Sequence, residues 1–295
     1  MNRKATNINP FTDFGFKKLF GEEASKDILL DFLNAVLEDE VGRIDDLEFS
    51  KNEHLGASEL DRKVVFDIFC KTESGERIII EMQKFFQTYF RERSLYYSSF
   101  AIQEQAVKGE WDFRLFPVYC ISLLDFTLES KSMNSDQYFH KVKLMETKTG
   151  QVFNDKLSFI YLEIPKFNKK LDELETNFDK WMYLLTKLEF LERLPKPLQS
   201  KIFKKVMGIA ELVKLEKTDR KAYEESLKKH RDLKNVMDSQ LRQGIEQGIE
   251  IGKFQEREKT AIALFKEGVD VGIISKVTGL GKDQLLKLLR KVGLV

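Results

Sequence analysis

The sequence is short of several things. It has two cysteines, Cys70 and Cys120, in 295 residues. They make neither a disulfide framework nor a zinc motif, and each sits in an apolar, strand-like run that suits a reducing cytoplasm. Three histidines, His54, His140 and His230, leave little material for a histidine metal cage or a histidine-dependent triad. An excess of one charge is missing too. Forty-nine Lys+Arg against 48 Asp+Glu leave a net charge of +1, so no bulk field announces nucleic acid, and any anion binding must be local. The longest apolar runs, Ile78-Ile79-Ile80 and a Phe116 to Leu124 segment interrupted by Pro117 and Ser122, fall well short of the roughly 20 residues of a membrane span. The start, Met1-Asn2-Arg3-Lys4, has no apolar stretch behind its basic residues, unlike a secretory signal. A cytoplasmic protein with no membrane partner is expected. What is present is core material: 42% hydrophobic and 12% aromatic residues against 33% charged, a balance that excludes global disorder.

Apolar residues at 28/29, 32/33 and 36/37 predict a helix starting near Ser25 and stopping near Val41-Gly42, followed by a short strand from Ile44 to Phe49. Lys63 to Thr72 and Glu76 to Gln83 are rich in strand formers and are joined by Glu73-Ser74-Gly75, which predicts a hairpin. Tyr89 to Lys108 returns to helical spacing with Gly109 as a cap, and Phe113 to Leu124 reads as a further strand. After a polar stretch from Ser130 to Ser135, a second hairpin of His140 to Glu146 and Lys156 to Ile164 reads as an accessory edge. Beyond about Leu171 the strand signals cease. Asp172 to Leu194, Pro197 to Leu215 and Asp219 to Asp238 read as helices, the first two separated by Pro195 and Pro197. Positive charge is weighted toward this half, with +6 over Pro195 to Asn235 and +3 over Leu241 to Val295.

Asp67 and Glu81 stand out because each interrupts an apolar strand, where an ionised carboxylate is costly unless paired or metal-bound. If Gly75 takes the left-handed position of a three-residue loop, Thr72 closes opposite Glu76 and Asp67 falls opposite Glu81. Two carboxylates facing across adjacent strands repel unless a cation or a proton joins them. Period two places Gln83 and Ile79 on the same face as Glu81, with Ile78, Ile80 and Met82 on the other. Spacing alone leaves open that the acids lie on the wet face of an exposed hairpin, although Ile79, Phe69 and Val65 share that face.

Asp67, Glu81-Met82-Gln83 and the order of elements resemble the PD-(D/E)XK nuclease superfamily. More closely, the chain resembles the bacterial PD-(D/E)XK family transposases, or recombination-promoting nucleases. The similarity runs through Asp13-Phe14-Gly15-Phe16-Lys17-Lys18-Leu19-Phe20-Gly21, Phe32-Leu33-Asn34, Val65-Phe66-Asp67-Ile68, Ile80-Glu81-Met82-Gln83, Arg93-Ser94-Leu95-Tyr96-Tyr97 and Pro117 to Ser122. It continues in the Gly244/Gly248/Gly252 repeat. This resemblance implies an α/β fold, a restriction-endonuclease-like core with a mixed central sheet flanked by helices, plus an all-helical C-terminal region. It also implies a DNA endonuclease whose Asp67 and Glu81, with the carbonyl of Met82, hold Mg²⁺ or Mn²⁺. Gln83 stands where the superfamily usually has lysine; it can orient a water but carries no charge. Asp13 or Glu22 would then add a carboxylate and Lys17 the missing cation, while Arg91, Arg93 and Gln103 would contact phosphates. Because of Gln83, a catalytically weak or inactive DNA-binding or oligomerising module remains the rival expectation, and RNA remains an alternative substrate.

The expected organisation is a nuclease-like core with the accessory hairpin over 1–165, a helical region over 166–240, and a tail over 241–295. Gly244, Gly248 and Gly252 recur every four residues, either as a flat stripe for close approach by a second copy or as a frayed linker helix. Thr260 to Lys291 is similar to a resolvase-like helix-turn-helix, with Lys282, Gln284, Lys287 and Arg290 as DNA readers; a small bundle for self-association reads equally well.

Overall fold

The computed structural model describes residues 4–51, 53–54, 64–128 and 136–295, and of residues 53, 54 and 64 the backbone only. Lys63 and the Ser130 to Ser135 stretch lie outside the described residues. The chain divides into two compact units, Met1–Arg231 and Asp232–Val295.

In the first unit, helices α1 (Asp13–Phe20) and α2 (Lys26–Val36) precede β1 (Leu47–Phe49) and the short strands β2 (Glu53–His54) and β3 (Val64–Val65). There follow β4 (Ile68–Thr72), β5 (Arg77–Gln83), α3 (Phe90–Gln103), β6 (Val118–Leu124), β7 (Phe139–Met145), β8 (Val152–Glu163), α4 (Asn177–Lys187) and α5 (Lys201–Ala210). A long helix, α6 (Lys217–Lys266), begins in this unit.

Six strands form a mixed sheet in the order β1-β4-β5-β6-β8-β7. The β5, β6 and β8 strands run parallel, and the outer pairings are antiparallel. The hairpin read as an accessory edge supplies the edge strand β7, while β8 stands inside the sheet beside β6. The sheet has a core on each face. Ile78, Ile80 and Met82 of β5 join the large one formed with α1, α2, α4 and α5, where Trp181, Phe20, Phe32 and Phe203 meet. Ile79 turns the other way, onto Phe69, Cys120 and Ala101 of α3. The period-two alternation thus assigns one strand to two cores.

The β4–β5 register follows from its turn. Lys71 pairs Arg77, Cys70 pairs Ile78, Phe69 pairs Ile79 and Ile68 pairs Ile80, and the Thr72 N–H donates to the Glu76 carbonyl at 3.0 Å. Gly75 has φ +101°, and a Cβ there would stand 2.6 Å from the Phe116 ring, so glycine is required twice over. The break in the Lys63 to Thr72 run falls at Phe66 and Asp67, where the Asp67 carboxylate leaves the strand pattern to accept a backbone N–H.

Helix α3 ends at Gln103 rather than near Lys108. The chain turns there because Gln105 spends its side chain on the loop, accepting from the Phe116 N–H at 2.8 Å and donating to the Ala101 carbonyl at 3.0 Å. Glu104 is drawn to Arg77 at 3.1 Å. The expected strand from Phe113 correspondingly begins only at Val118. Ser25 caps nothing with its side chain; its hydroxyl donates to the Glu22 carbonyl at 3.0 Å.

The second unit comprises the rest of α6 with α7 (Val271–Thr278) and α8 (Lys282–Lys291), packed around Ala261, Ile274, Leu280, Leu285 and Leu289. The Gly244, Gly248 and Gly252 positions lie within the continuous α6, and nothing stands within 4 Å of where their Cβ atoms would be. Among the described residues, no helix is long and apolar enough to cross a membrane.

Candidate active site

The site forms one step beyond the last ladder pair of the β4–β5 hairpin. Asp67 Oδ2 accepts from the Met82 N–H at 2.8 Å, and the Asp67 N–H donates to Glu81 Oε1 at 3.3 Å. Gln83 Nε2 donates to Glu81 Oε2 at 3.3 Å. Asp67, Glu81 and Gln83 are therefore brought together, and their face is not the wet side of a hairpin: α3 covers it. Glu81 and Gln83 share a cavity with Phe90, Arg93, Tyr97 and Ser122. Its volume of about 10 Å³ suits a single water or small ion. A nucleotide must approach from outside.

Burial pushes the Glu81 carboxyl up to about 8; the charge of Asp67 adds to the rise, and that of Arg93 opposes it. Asp67 is raised as well, first by burial and then by Asp13, against the Met82 N–H, Lys17 and Lys84. The site thus penalises the ionised form of both acids, a penalty that a bound cation or proton relieves.

Asp13 is placed by a tight start to α1. Thr12 accepts the Gly15 N–H at 3.0 Å, and a Cβ on Gly15 would lie 2.1 Å from the Asn9 carbonyl oxygen. Asp13 Oδ1 accepts from Lys84 Nζ at 2.7 Å, and Lys17, exposed on the same helix, acts electrostatically on Asp67. Glu22 is instead taken up by Lys18 at 3.3 Å, which also pairs with Asp219 of α6 at 2.9 Å. Arg93 donates to Gln87 at 2.7 Å and lies over the Tyr97 ring at 5.4 Å. Arg91 is exposed on α3, and Gln103 is exposed at its far end, about 15 Å along the axis from Arg93. In the second unit Lys282, Lys287 and Arg290 are exposed on α8, whereas Gln284 accepts the Gly281 N–H at 3.2 Å, a cap to that helix.

Lys84 is the residue that sequence reasoning passed over. It follows Gln83 directly, so its charge stands on the α1 side of the strand, one position after the place where the superfamily carries its lysine. The signal available was the Lys84-Gln83 adjacency itself.

A family model described as PD-(D/E)XK nuclease family transposase matches residues 10–240. The chain belongs to this family. The matched stretch includes every residue of the carboxylate site, and the mixed sheet flanked by helices is the α/β architecture of such nucleases. Comparison with curated proteins and with solved structures gave no match.

Proposed function

We propose that this family member is a metal-dependent DNA endonuclease that hydrolyses phosphodiester bonds in a transposase-like, recombination-promoting role. The observation that carries the reading is the Asp67–Glu81 pair, two half-buried carboxylates held face to face with both protonation equilibria raised. The donor set is all oxygen and suits Mg²⁺ or Mn²⁺. Among the described residues no three acidic, histidine or cysteine side chains form a complete cage, so Asp67, Glu81 and the Met82 carbonyl would hold the ion together with water and substrate oxygens. When bound, such an ion lowers the pKa of an attacking water and offsets charge on the phosphate.

The chain's own residues do the rest. Gln83 commits its amide N–H to Glu81, which leaves its carbonyl oxygen to accept from a water and orient it. Lys84, fixed by Asp13, and the exposed Lys17 put positive charge on the α1 side of Asp67, where it opposes the charge of an arriving phosphate. Arg93 does so from the α3 side. The exposed Lys282, Lys287 and Arg290 add phosphate contacts from the tail, and the α6 stripe around Gly244, Gly248 and Gly252 joins two copies of the chain. The two cysteines are free and buried, as suits a cytoplasmic enzyme.

The uncharged Gln83 favours a second reading, a nuclease fold that binds DNA without cutting it. Supercoiled DNA and an RNA of matched length, incubated side by side with Mg²⁺, separate the two. Nicking of DNA that EDTA abolishes and Asp67→Asn lacks is the expected result. Binding without nicking supports the second reading, and nicking by Asp67→Asn contradicts the site.

A further inference from the structure

Half of the loop leaving the carboxylate strand is aromatic: Lys84-Phe85-Phe86-Gln87-Thr88-Tyr89 joins β5 to α3. Burial is the ordinary fate of such rings. Phe85 is partly buried, stacked on His230 at 6.3 Å. Phe86 and Tyr89 remain 53% and 72% exposed. Phe86 is nevertheless fixed, because its ring meets Phe126 edge to face at 5.8 Å, and Phe126 meets Phe90 in the same way at 6.0 Å. Phe90 in turn lines the cavity that holds Glu81 and Gln83. A half-exposed ring thus stands two edge-to-face contacts away from the cavity wall.

Two arginines follow the loop, with the exposed Glu92 between them. Arg91 is exposed at the start of α3, and Arg93, two residues on, donates to Gln87 of the same loop at 2.7 Å. Exposed rings in a loop that leads directly into arginines match a nucleic-acid strand whose bases are unstacked: each base offers a π-face to an aromatic ring, and arginines take the phosphates between. A base inside an intact duplex has both faces covered by its neighbours and has none to offer.

We propose that Phe86 and Tyr89 form a stacking platform for unpaired bases, so that the substrate is a single strand or a locally unpaired stretch of DNA. This rests on the nuclease reading above and names the substrate class of that site.

The test uses the full chain carrying Asp67→Asn, without divalent metal, and an oligonucleotide containing 2-aminopurine, either single or annealed to its complement. The single strand should bind roughly tenfold more tightly than the duplex, with quenched fluorescence. Adding Phe86→Ala and Tyr89→Ala should weaken single-strand binding about tenfold, remove the quench and leave duplex affinity unchanged. Tyr89→Ala alone, at the more exposed ring, should show part of the same loss, and circular dichroism checks that each variant is folded. Equal affinity for single strand and duplex, or an unchanged quench in the doubly substituted chain, overturns the proposal. Cleavage by the wild-type chain with Mg²⁺ is read separately. Stacking without cleavage sinks the nuclease reading and leaves the platform standing, whereas cleavage that is indifferent to both rings sinks the platform alone.

Discussion

Two carboxylates near the carboxyl ends of strands flanking β6 lie in opposite electrostatic circumstances. Glu163 of β8 is fully buried and wholly answered: it accepts from the Leu128 N–H at 2.7 Å, from Lys166 at 3.0 Å, and lies 2.6 Å from His140 Nε2. Glu81 of β5 is largely buried against another carboxylate. Among the described residues no lysine or arginine forms an ion pair with it. Burial of an acid is therefore no mark of a functional site in this fold. What distinguishes Glu81 is that, among the described residues, Arg93 acts on it without pairing with it, which leaves the balance to something that binds.

The comparison breaks most visibly if Glu163 is removed. Glu163→Ala takes the carboxylate from His140, Lys166 and the Leu128 N–H, leaving Lys166 only the Gln137 carbonyl at 3.4 Å, and a broken buried pair costs about 3–5 kcal/mol. Urea denaturation should show a loss of that size. A loss under about 1 kcal/mol, the range of a surface pair, would mean that Glu163 is not the structural acid described.

Glu81 should behave in the opposite sense. Its folded pKa of about 8 lies above the ordinary 4.5, so folding favours the protonated form. Stability from this group is present below pH 4.5 and lost as pH rises toward 8. Without metal, wild type should therefore lose on the order of 2–4 kcal/mol across that range relative to Glu81→Gln, which cannot ionise. Parallel pH–stability curves for the two chains would refute the raised equilibrium.

A smaller effect is expected at Gln83. Gln83→Ala should slow cleavage about tenfold, less than the 10²–10⁴ of a true acid–base catalyst, because it orients a water without exchanging a proton. Gln83→Lys should retain or raise the rate. An alanine variant as fast as wild type would make Gln83 only a neighbour of Glu81.

The hairpin register was legible in the sequence because one glycine and a three-residue turn determine it, and register then determines which carboxylates face each other. What covers that face was not legible. Local spacing along β5 says that Ile79, Glu81 and Gln83 share a side, but the lid over them is α3, where Phe90, Tyr97 and Ala101 do share one face while Leu95 and Tyr96 are apolar and exposed, so hydrophobicity alone does not mark the covering face. Lys84 was missed for a related reason. Period two assigns it to the face opposite Gln83, and only the placement of α1 by Gly15 brings Asp13 round to hold it beside Asp67. The place of β8 inside the sheet was hidden too, since pairing with β6 is a long-range contact that hairpin signals cannot carry.

The central claim, that Asp67 and Glu81 together hold a cation, is tested most directly by calorimetric titration of the metal-free chain with Mg²⁺ at pH 7 in two buffers of different ionisation enthalpy. The account predicts saturable binding with about one proton released per ion, because Glu81 is largely protonated at that pH and must ionise to bind. Glu81→Gln should weaken the binding and abolish the proton release. Binding of equal strength in both chains, or no saturable binding to wild type, would contradict it.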